Sequence, residues 1–160
     1  MKKEIYILTG PINSGKTTKL EQWLMGRRDV YGILTPKIEG KRFFKNIETS
    51  EYFQMDADLS EENTITIGKH EFSSNAFLRA TQIIKASADK EEGWLIIDEI
   101  GPLEIDSKGF DKTLREILNK DTEQLKIVLV VRESLREAVI THYAMLRHDL
   151  KNLDLTTNNN

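Results

Sequence analysis

The residues with the clearest chemical meaning form one stretch near the start of the chain, Gly10-Pro11-Ile12-Asn13-Ser14-Gly15-Lys16-Thr17-Thr18. It fits the pattern G-x-x-x-x-G-K-[ST], and it follows the apolar run Ile5-Tyr6-Ile7-Leu8-Thr9. A strand, a glycine-containing loop and a helix in this order turn successive backbone N–H groups into one hollow, which suits a polyphosphate. We therefore predict that residues 10–18 bind phosphate groups. The competing interpretation is a chance match in an ordinary strand-to-helix turn.

Two side chains of this stretch extend the prediction beyond the backbone. Lys16 adds a mobile positive charge aimed at the β- and γ-phosphates, and the start of the following helix adds about half a charge more. The Thr17 hydroxyl is placed to ligate Mg²⁺. The loop thus predicts a bound polyphosphate, held by backbone N–H groups and Lys16, together with Mg²⁺.

A second candidate is the pair Asp98-Glu99, which follows the wholly apolar run Trp94-Leu95-Ile96-Ile97. Successive side chains of a strand point to opposite faces, so the two carboxylates serve different purposes. We interpret Asp98 as the Walker B carboxylate that holds Mg²⁺ with Thr17, and Glu99 as the residue that orients or deprotonates the attacking water. A carboxylate in that place favours hydrolysis over transfer to another acceptor. The competing interpretation is that both acids end a strand and face solvent.

Arginines are the usual groups that offset charge on a transferring phosphate. Arg132 directly follows the buried run Ile127-Val128-Leu129-Val130-Val131, which makes it the preferred candidate. Its competing interpretation is an ion pair with Glu133 or Glu137. Arg42 and Arg79 are lesser candidates. For Glu104 we favour a structural hydrogen bond within its own loop over a place near the metal.

The elements that must position these residues alternate between strand and helix patterns. Strands are predicted at 5–9, 30–35, 94–97, 127–131 and 153–155, and helices at 16–25, 75–88, 110–119 and 132–143. Such alternation predicts an α/β fold with a mainly parallel sheet flanked by helices, and the reactive loops gather at the carboxyl ends of its strands. The middle of the chain differs, because residues 35–39 and 42–48 predict an inserted antiparallel hairpin and 52–55 and 64–68 two further strands.

Composition restricts the classes of partner. The 160 residues carry a net charge of −3, which gives no general attraction to nucleic acid or to an anionic membrane. The chain has no cysteine and no apolar run long enough for a membrane span or a signal segment, so we expect a cytoplasmic protein. Residues 1–155 are expected to form one domain and 156–160 a disordered tail.

The run Asp98-Glu99-Ile100-Gly101-Pro102-Leu103-Glu104 resembles the D-E-I-G-x-[ML]-E signature of the small P-loop nucleoside-triphosphatases of the thermophile type, relatives of cancer-related nucleoside-triphosphatase. Gly32-Ile33-Leu34-Thr35 is similar to that family's G-[FI]-x-T segment, and Gly68-Lys69-His70 to its G-[KR]-[YH] segment. The resemblance covers residues 5 to about 140. It implies a RecA-like P-loop fold with an inserted hairpin region, and Mg²⁺-dependent hydrolysis of ATP and GTP with loose base preference.

Three functions remain in competition at this point. The leading one is a hydrolase that uses Lys16, Thr17, Asp98 and Glu99. The second is a nucleoside or nucleotide kinase, in which an acceptor replaces water. The third is a nucleotide-dependent switch whose slow hydrolysis is stimulated by a protein partner.

Overall fold

The structure is a computed structural model that describes residues 3–10, 15–58, 60–121 and 124–155, so the predicted tail at 156–160 lies outside the described residues. Its elements in chain order are β1 (Glu4–Gly10), α1 (Lys16–Leu24), β2 (Val30–Leu34), β3 (Lys37–Ile38), β4 (Lys41–Asn46), β5 (Tyr52–Gln54), β6 (Thr64–Ile67), β7 (His70–Ser73), α2 (Ser74–Ala88), β8 (Gly93–Ile100), α3 (Pro102–Ile105), α4 (Asp111–Asn119), β9 (Leu125–Arg132), α5 (Arg136–His142) and β10 (Asp149–Asn152). No helix among them is long and apolar enough to cross a membrane.

Within the described residues, five strands form the parallel part of the main sheet, in the order β10-β1-β9-β8-β2. Strand β9 lies between β1, which leads into the phosphate-loop stretch, and β8, which carries Asp98. This order confirms the RecA-like fold that the resemblance implied. It also brings the carboxyl ends of β1, β9 and β8 side by side, where the candidate site residues lie.

The strand sequences explain why both faces of this sheet are covered. Alternate residues of each strand point to opposite faces, so Ile97 and Leu129 join one apolar cluster and Ile96 and Val128 join the other. Helices α2, α4 and α5 cover the first face and α1 covers the second through Leu20. Strands buried on both faces read as unbroken apolar runs, which is why 94–97 and 127–131 could be predicted.

The close approach of β2 to β8 depends on a glycine. Gly32 has φ of 113°, a value that side chains rarely adopt, and a Cβ there would overlap the carbonyl oxygen of Ile96. Because β2 can lie against β8, the backbone at Thr35 comes within hydrogen-bonding distance of Asp98.

The predicted hairpin is confirmed as β3 and β4, which pair antiparallel with Lys37 opposite Arg42. Strand β4 also pairs with β2, with Leu34 opposite Lys45, so the hairpin continues past the carboxyl end of β2 and overhangs that edge of the sheet. Strands β6 and β7 form a second, separate hairpin. The sequence predicted a strand at 64–68 but not its pairing with 70–73.

Two further elements differ from expectation. The last strand is Asp149–Asn152, not 153–155, and it pairs with β1 with Glu4 opposite Asp149. It is an edge strand in which only Leu150 is half-buried, so its sequence lacks the apolar pattern of the other parallel strands. The predicted helix at 132–143 is instead the end of β9, a 3₁₀ turn at Glu133–Leu135 and then α5.

Candidate nucleotide-binding site

The phosphate-loop stretch joins β1 to α1. Strand β1 ends at Gly10, Gly15 adopts a left-handed conformation with φ of 78°, and α1 begins at Lys16. The Lys16 ammonium donates to the Gly10 carbonyl oxygen at 3.1 Å, so its side chain reaches back to the end of β1. The predicted phosphate contacts at Pro11, Ile12, Asn13 and Ser14 lie outside the described residues. Thr18 is exposed on the first turn of α1.

Asp98 lies at the carboxyl end of β8 and is only 1% exposed. Its Oδ2 accepts a hydrogen bond from the Thr17 hydroxyl at 2.9 Å and another from the Thr35 backbone N–H at 3.0 Å. Burial raises the pKa of Asp98, while the bonds from Thr35 and Thr17 oppose that rise. The two residues predicted to hold Mg²⁺ are thus in direct contact, although 81 residues separate them in the chain.

These donors suit a magnesium ion. A carboxylate oxygen and a hydroxyl oxygen are hard ligands, and Mg²⁺ typically takes one or two protein oxygens together with water and substrate phosphates. Across residues 3–10, 15–58, 60–121 and 124–155, no three His, Asp or Glu side chains gather into a metal-binding group. Protein ligands for Mg²⁺ would therefore be Thr17 and Asp98, next to the phosphate loop.

Glu99 and Arg132 face each other across neighbouring strand ends. Arg132 Nε lies 3.7 Å from Glu99 Oε1, and both side chains are about one-third exposed. Burial raises the pKa of Glu99 and the charge of Asp98 adds to that rise, whereas Arg132, Lys16 and Arg42 oppose it. The alternative ion pair of Arg132 with Glu133 or Glu137 is wrong, because Arg132 pairs with Glu99.

The ion pair of Arg132 with Glu99 could not be predicted from the spacing of the two residues in the sequence, because it depends on the register of the strands. Arg132 lies opposite Gly10 in the parallel pairing of β9 with β1. On its other side β9 pairs with β8, and the register shifts between Asp98 and Ile100, which places Glu99 at an irregularity. Arg132 consequently stands between the start of the phosphate loop and Glu99.

Glu104 has the structural place that we favoured. It is 3% exposed, its Oε1 accepts from the Gly101 N–H at 2.8 Å, and its Oε2 accepts from the Phe110 N–H at 2.9 Å. Burial raises its pKa to about 7, despite those bonds. A Cβ at Gly109, where φ is 59°, would overlap Glu104 Oε2, so a glycine is needed beside it. Glu104 thereby fastens the loop that follows Glu99.

One cavity of about 750 Å³ is lined by the described site residues other than Gly10. Its lining includes Gly15, Lys16, Thr17, Thr18, Thr35, Asp98, Glu99, Glu104 and Arg132. Arg42 also lines it, whereas Arg79, the other lesser candidate, makes an exposed ion pair with Glu51 at 2.8 Å. The contribution of the Thr35 backbone was not predicted, although the segment Gly32-Ile33-Leu34-Thr35 carried part of the family resemblance.

The sheet order, the glycine-lysine loop and the Asp98–Thr17 contact define a P-loop nucleoside-triphosphatase of RecA-like fold. A family model described as NTPase matches residues 5–160, and the chain belongs to this family. Nucleoside-triphosphatase THEP1 of Methanothermobacter thermautotrophicus is 30% identical over 137 residues, which span 81% of this chain and 78% of that protein. The sequence-based prediction of the family is confirmed.

Two solved structures share the fold. The crystal structure of THEP1 from the hyperthermophile Aquifex aeolicus has a TM-score of 0.67 at 20% identity, covering 97% of this chain and 91% of that one. The solution structure of a human cancer-related nucleoside triphosphatase has a TM-score of 0.65 at 20% identity, covering 98% and 90%.

Proposed function

We propose that the cavity is the active site of a Mg²⁺-dependent nucleoside-triphosphate hydrolase, which converts a nucleoside triphosphate and water into the diphosphate, inorganic phosphate and a proton. The observation that carries this proposal is the contact of Asp98 with Thr17 beside Lys16, with Glu99 and Arg132 in the same cavity. Family membership supports the reaction class.

Each residue has a distinct part in the proposed reaction. The backbone of 10–18, including Gly10, Gly15 and Thr18, holds the phosphates, and Lys16 turns from the Gly10 carbonyl toward the β- and γ-phosphates. Thr17 and Asp98 hold Mg²⁺, whose charge would stabilise the leaving phosphate oxygens.

Glu99 and Arg132 act on the other side of the γ-phosphate. Glu99 orients the attacking water and accepts its proton, which its partly buried position suits. Arg132 lies between the phosphate loop and Glu99, so its guanidinium can leave the carboxylate for the γ-phosphate when the charge on that group increases. Before the substrate arrives, the ion pair between Arg132 Nε and Glu99 Oε1, 3.7 Å apart, keeps both side chains on the side of the cavity where the γ-phosphate would react.

The test is phosphate release from ATP and GTP by the wild type, Lys16→Ala and Glu99→Gln. We expect both variants to lose at least about a hundredfold in kcat, by analogy with removal of other charge-stabilising groups. Glu116→Gln is the matched control, since Glu116 is exposed on α4 and does not line the cavity. Full turnover by Glu99→Gln alongside an inactive Lys16→Ala would overturn the part assigned to Glu99.

Base preference is proposed to be loose. ATP and GTP should be hydrolysed with kcat/KM values within about tenfold of each other, which corresponds to about 1.4 kcal/mol of discrimination. Competition between the two substrates in one assay measures this ratio directly. A preference above about a thousandfold would instead indicate a base-specific pocket.

A further inference from the structure

The cavity extends beyond the part that the triphosphate would fill. Along the carboxyl edge of the sheet the strands follow the order β1-β9-β8-β2-β4, so Glu99 lies between the phosphate loop and Arg42. Neighbouring strands are about 4.8 Å apart, and β4 is therefore about 10 Å beyond β8. We call this outer part the hairpin lobe, and it is lined by Lys37, Arg42, Asp56, Ile67, His70 and Pro102.

Arg42 gives the hairpin lobe its charge. Its backbone N–H donates to the Asp56 carboxylate at 2.9 Å, which fixes the start of β4, and its guanidinium carbon lies 5.9 Å from the centre of the Phe72 ring. Among the residues that the structure describes, none forms an ion pair with the Arg42 guanidinium or accepts a hydrogen bond from it. Arg132 and Arg79, in contrast, each pair with a glutamate. A half-buried guanidinium in a cavity is suited to an anionic ligand.

His70 gives the hairpin lobe a flat surface. The residue is exposed, and its ring lies nearly parallel to that of Phe72, with 19° between the planes and 5.9 Å between the centroids. Its outer face remains available for a planar ring to stack. Ile67 and Pro102 add apolar surface nearby.

The in-line geometry of phosphoryl transfer places this lobe on the side from which the attacking oxygen approaches the γ-phosphorus. This step rests on the proposed function, which places the γ-phosphate between Lys16 and Glu99. Attacking and leaving oxygens lie roughly in line with the transferred phosphorus, and the substrate's own nucleoside is attached to the leaving oxygen. The hairpin lobe, on the far side of Glu99, therefore cannot be filled by that nucleoside.

We propose that the hairpin lobe binds a second nucleotide, a nucleoside monophosphate, with its phosphate on Arg42 and its base against His70. The lobe supplies both features that such a ligand needs, a cation for the phosphate and a flat ring for the base. A molecule bound there stands where the attacking water must approach, so it slows hydrolysis of the triphosphate.

The test is calorimetric titration of AMP, CMP, GMP and UMP into protein saturated with Mg²⁺ and a non-hydrolysable triphosphate analogue. We expect at least one monophosphate to bind while the analogue stays bound, and Arg42→Ala to weaken that binding about tenfold or more, since a charge-assisted contact is lost. Arg79→Ala is the matched control and should bind it as the wild type does, because Arg79 already pairs with Glu51 outside the cavity.

Several results would overturn the proposal. They are the absence of binding for all four monophosphates, displacement of the analogue by the monophosphate, and equal binding by Arg42→Ala and the wild type. In a separate assay with Mg²⁺ and hydrolysable ATP, conversion of the monophosphate into a diphosphate would also support it. A phosphate oxygen of the monophosphate would then bond to the γ-phosphorus as the bond from that phosphorus to the leaving β-phosphate oxygen breaks. Lys16→Ala separates the two proposals, because it tests triphosphate hydrolysis but should still bind the monophosphate.

Discussion

Two aspartates are almost inaccessible to water, but they differ in the groups that donate hydrogen bonds to their carboxylates. Asp98, in the candidate site, is 1% exposed and receives hydrogen bonds from the Thr17 hydroxyl and the Thr35 backbone N–H. Asp111, at the start of α4, is 6% exposed and receives bonds from Tyr143 Oη at 2.7 Å and Arg115 Nε at 3.2 Å, and it lies 3.0 Å from His142 Nε2.

The pKa values of these carboxyls follow from that difference. Burial opposes ionisation of both groups and raises the pKa of Asp98, where the neutral donors are too weak to reverse it. At Asp111 the bonds from Tyr143, His142 and Arg115 together outweigh burial and lower the pKa. Among the described residues, the carboxylate proposed to receive a metal is bonded by a hydroxyl and a backbone N–H, whereas the carboxylate that joins two helices also pairs with Arg115.

Asp98→Asn tests the aspartate of the candidate site. We expect kcat to fall about a hundredfold to a thousandfold, because the carboxylate charge assigned to Mg²⁺ is removed. We also expect the free energy of unfolding to rise by about 1 kcal/mol, since a neutral amide oxygen can accept the same bonds without the cost of a buried charge. Phosphate release and urea unfolding measure the two effects. A variant that is both inactive and less stable would contradict this account of Asp98.

Glu104 is an intermediate case, since it is buried like Asp98 and its carboxylate accepts hydrogen bonds from the backbone N–H groups of Gly101 and Phe110. Its pKa of about 7 lies above that of an unfolded chain, so the folded protein binds the proton more tightly. Its contribution to stability is therefore fully present at acid pH and is lost as the pH rises from about 4.5 to above 7. The loss amounts to about 3 kcal/mol.

Replacing Glu104 by Gln removes this pH dependence. The free energy of unfolding of wild type minus that of Glu104→Gln should decrease between pH 5 and pH 8, because only the wild type carries the titrating carboxyl. Urea unfolding at several pH values measures it, and Glu116→Gln supplies an exposed control on α4. Parallel stability curves for the wild type and Glu104→Gln would show that burial does not raise the pKa of Glu104.

Asp111→Asn tests the aspartate that joins α4 to the end of α5. The substitution leaves Arg115 without its ion-pair partner. It also replaces one carboxylate oxygen, which accepts hydrogen bonds, with an amide NH₂ group that faces hydrogen-bond donors. We therefore expect the free energy of unfolding to fall by about 2 kcal/mol. Turnover should stay within about twofold of wild type, since Asp111 does not line the cavity. The same two assays as for Asp98→Asn apply, and a variant with wild-type stability would remove the distinction between the two aspartates.

The two aspartates also show how far the sequence could be read. Asp98 was found because an apolar run, two acids and a glycine-lysine loop are local patterns, and the parallel sheet followed from the same periodicities. The contact with Thr35 and the pairing of Arg132 with Glu99 were not found, because they depend on the order and register of β2, β8 and β9. Asp111 on α4 contacts His142 and Tyr143 at the end of α5, which are 31 and 32 residues further along the chain. No local pattern in the sequence could therefore predict this cluster.

Tyr143→Phe is the smallest change at the Asp111 cluster, since it removes one oxygen and leaves the ring. Asp111 then keeps Arg115 and His142 but loses the 2.7 Å bond, so its pKa should rise toward its usual value and stability at neutral pH should fall by about 1.5 kcal/mol. Because a lowered carboxyl pKa stabilises the fold only above the folded value, that loss should shrink as the pH falls toward 2. Carbon NMR titration of the Asp111 carboxyl measures the pKa, and His142→Gln provides the control for a second lost donor. An unchanged pKa in Tyr143→Phe would assign the shift to Arg115 and His142 alone.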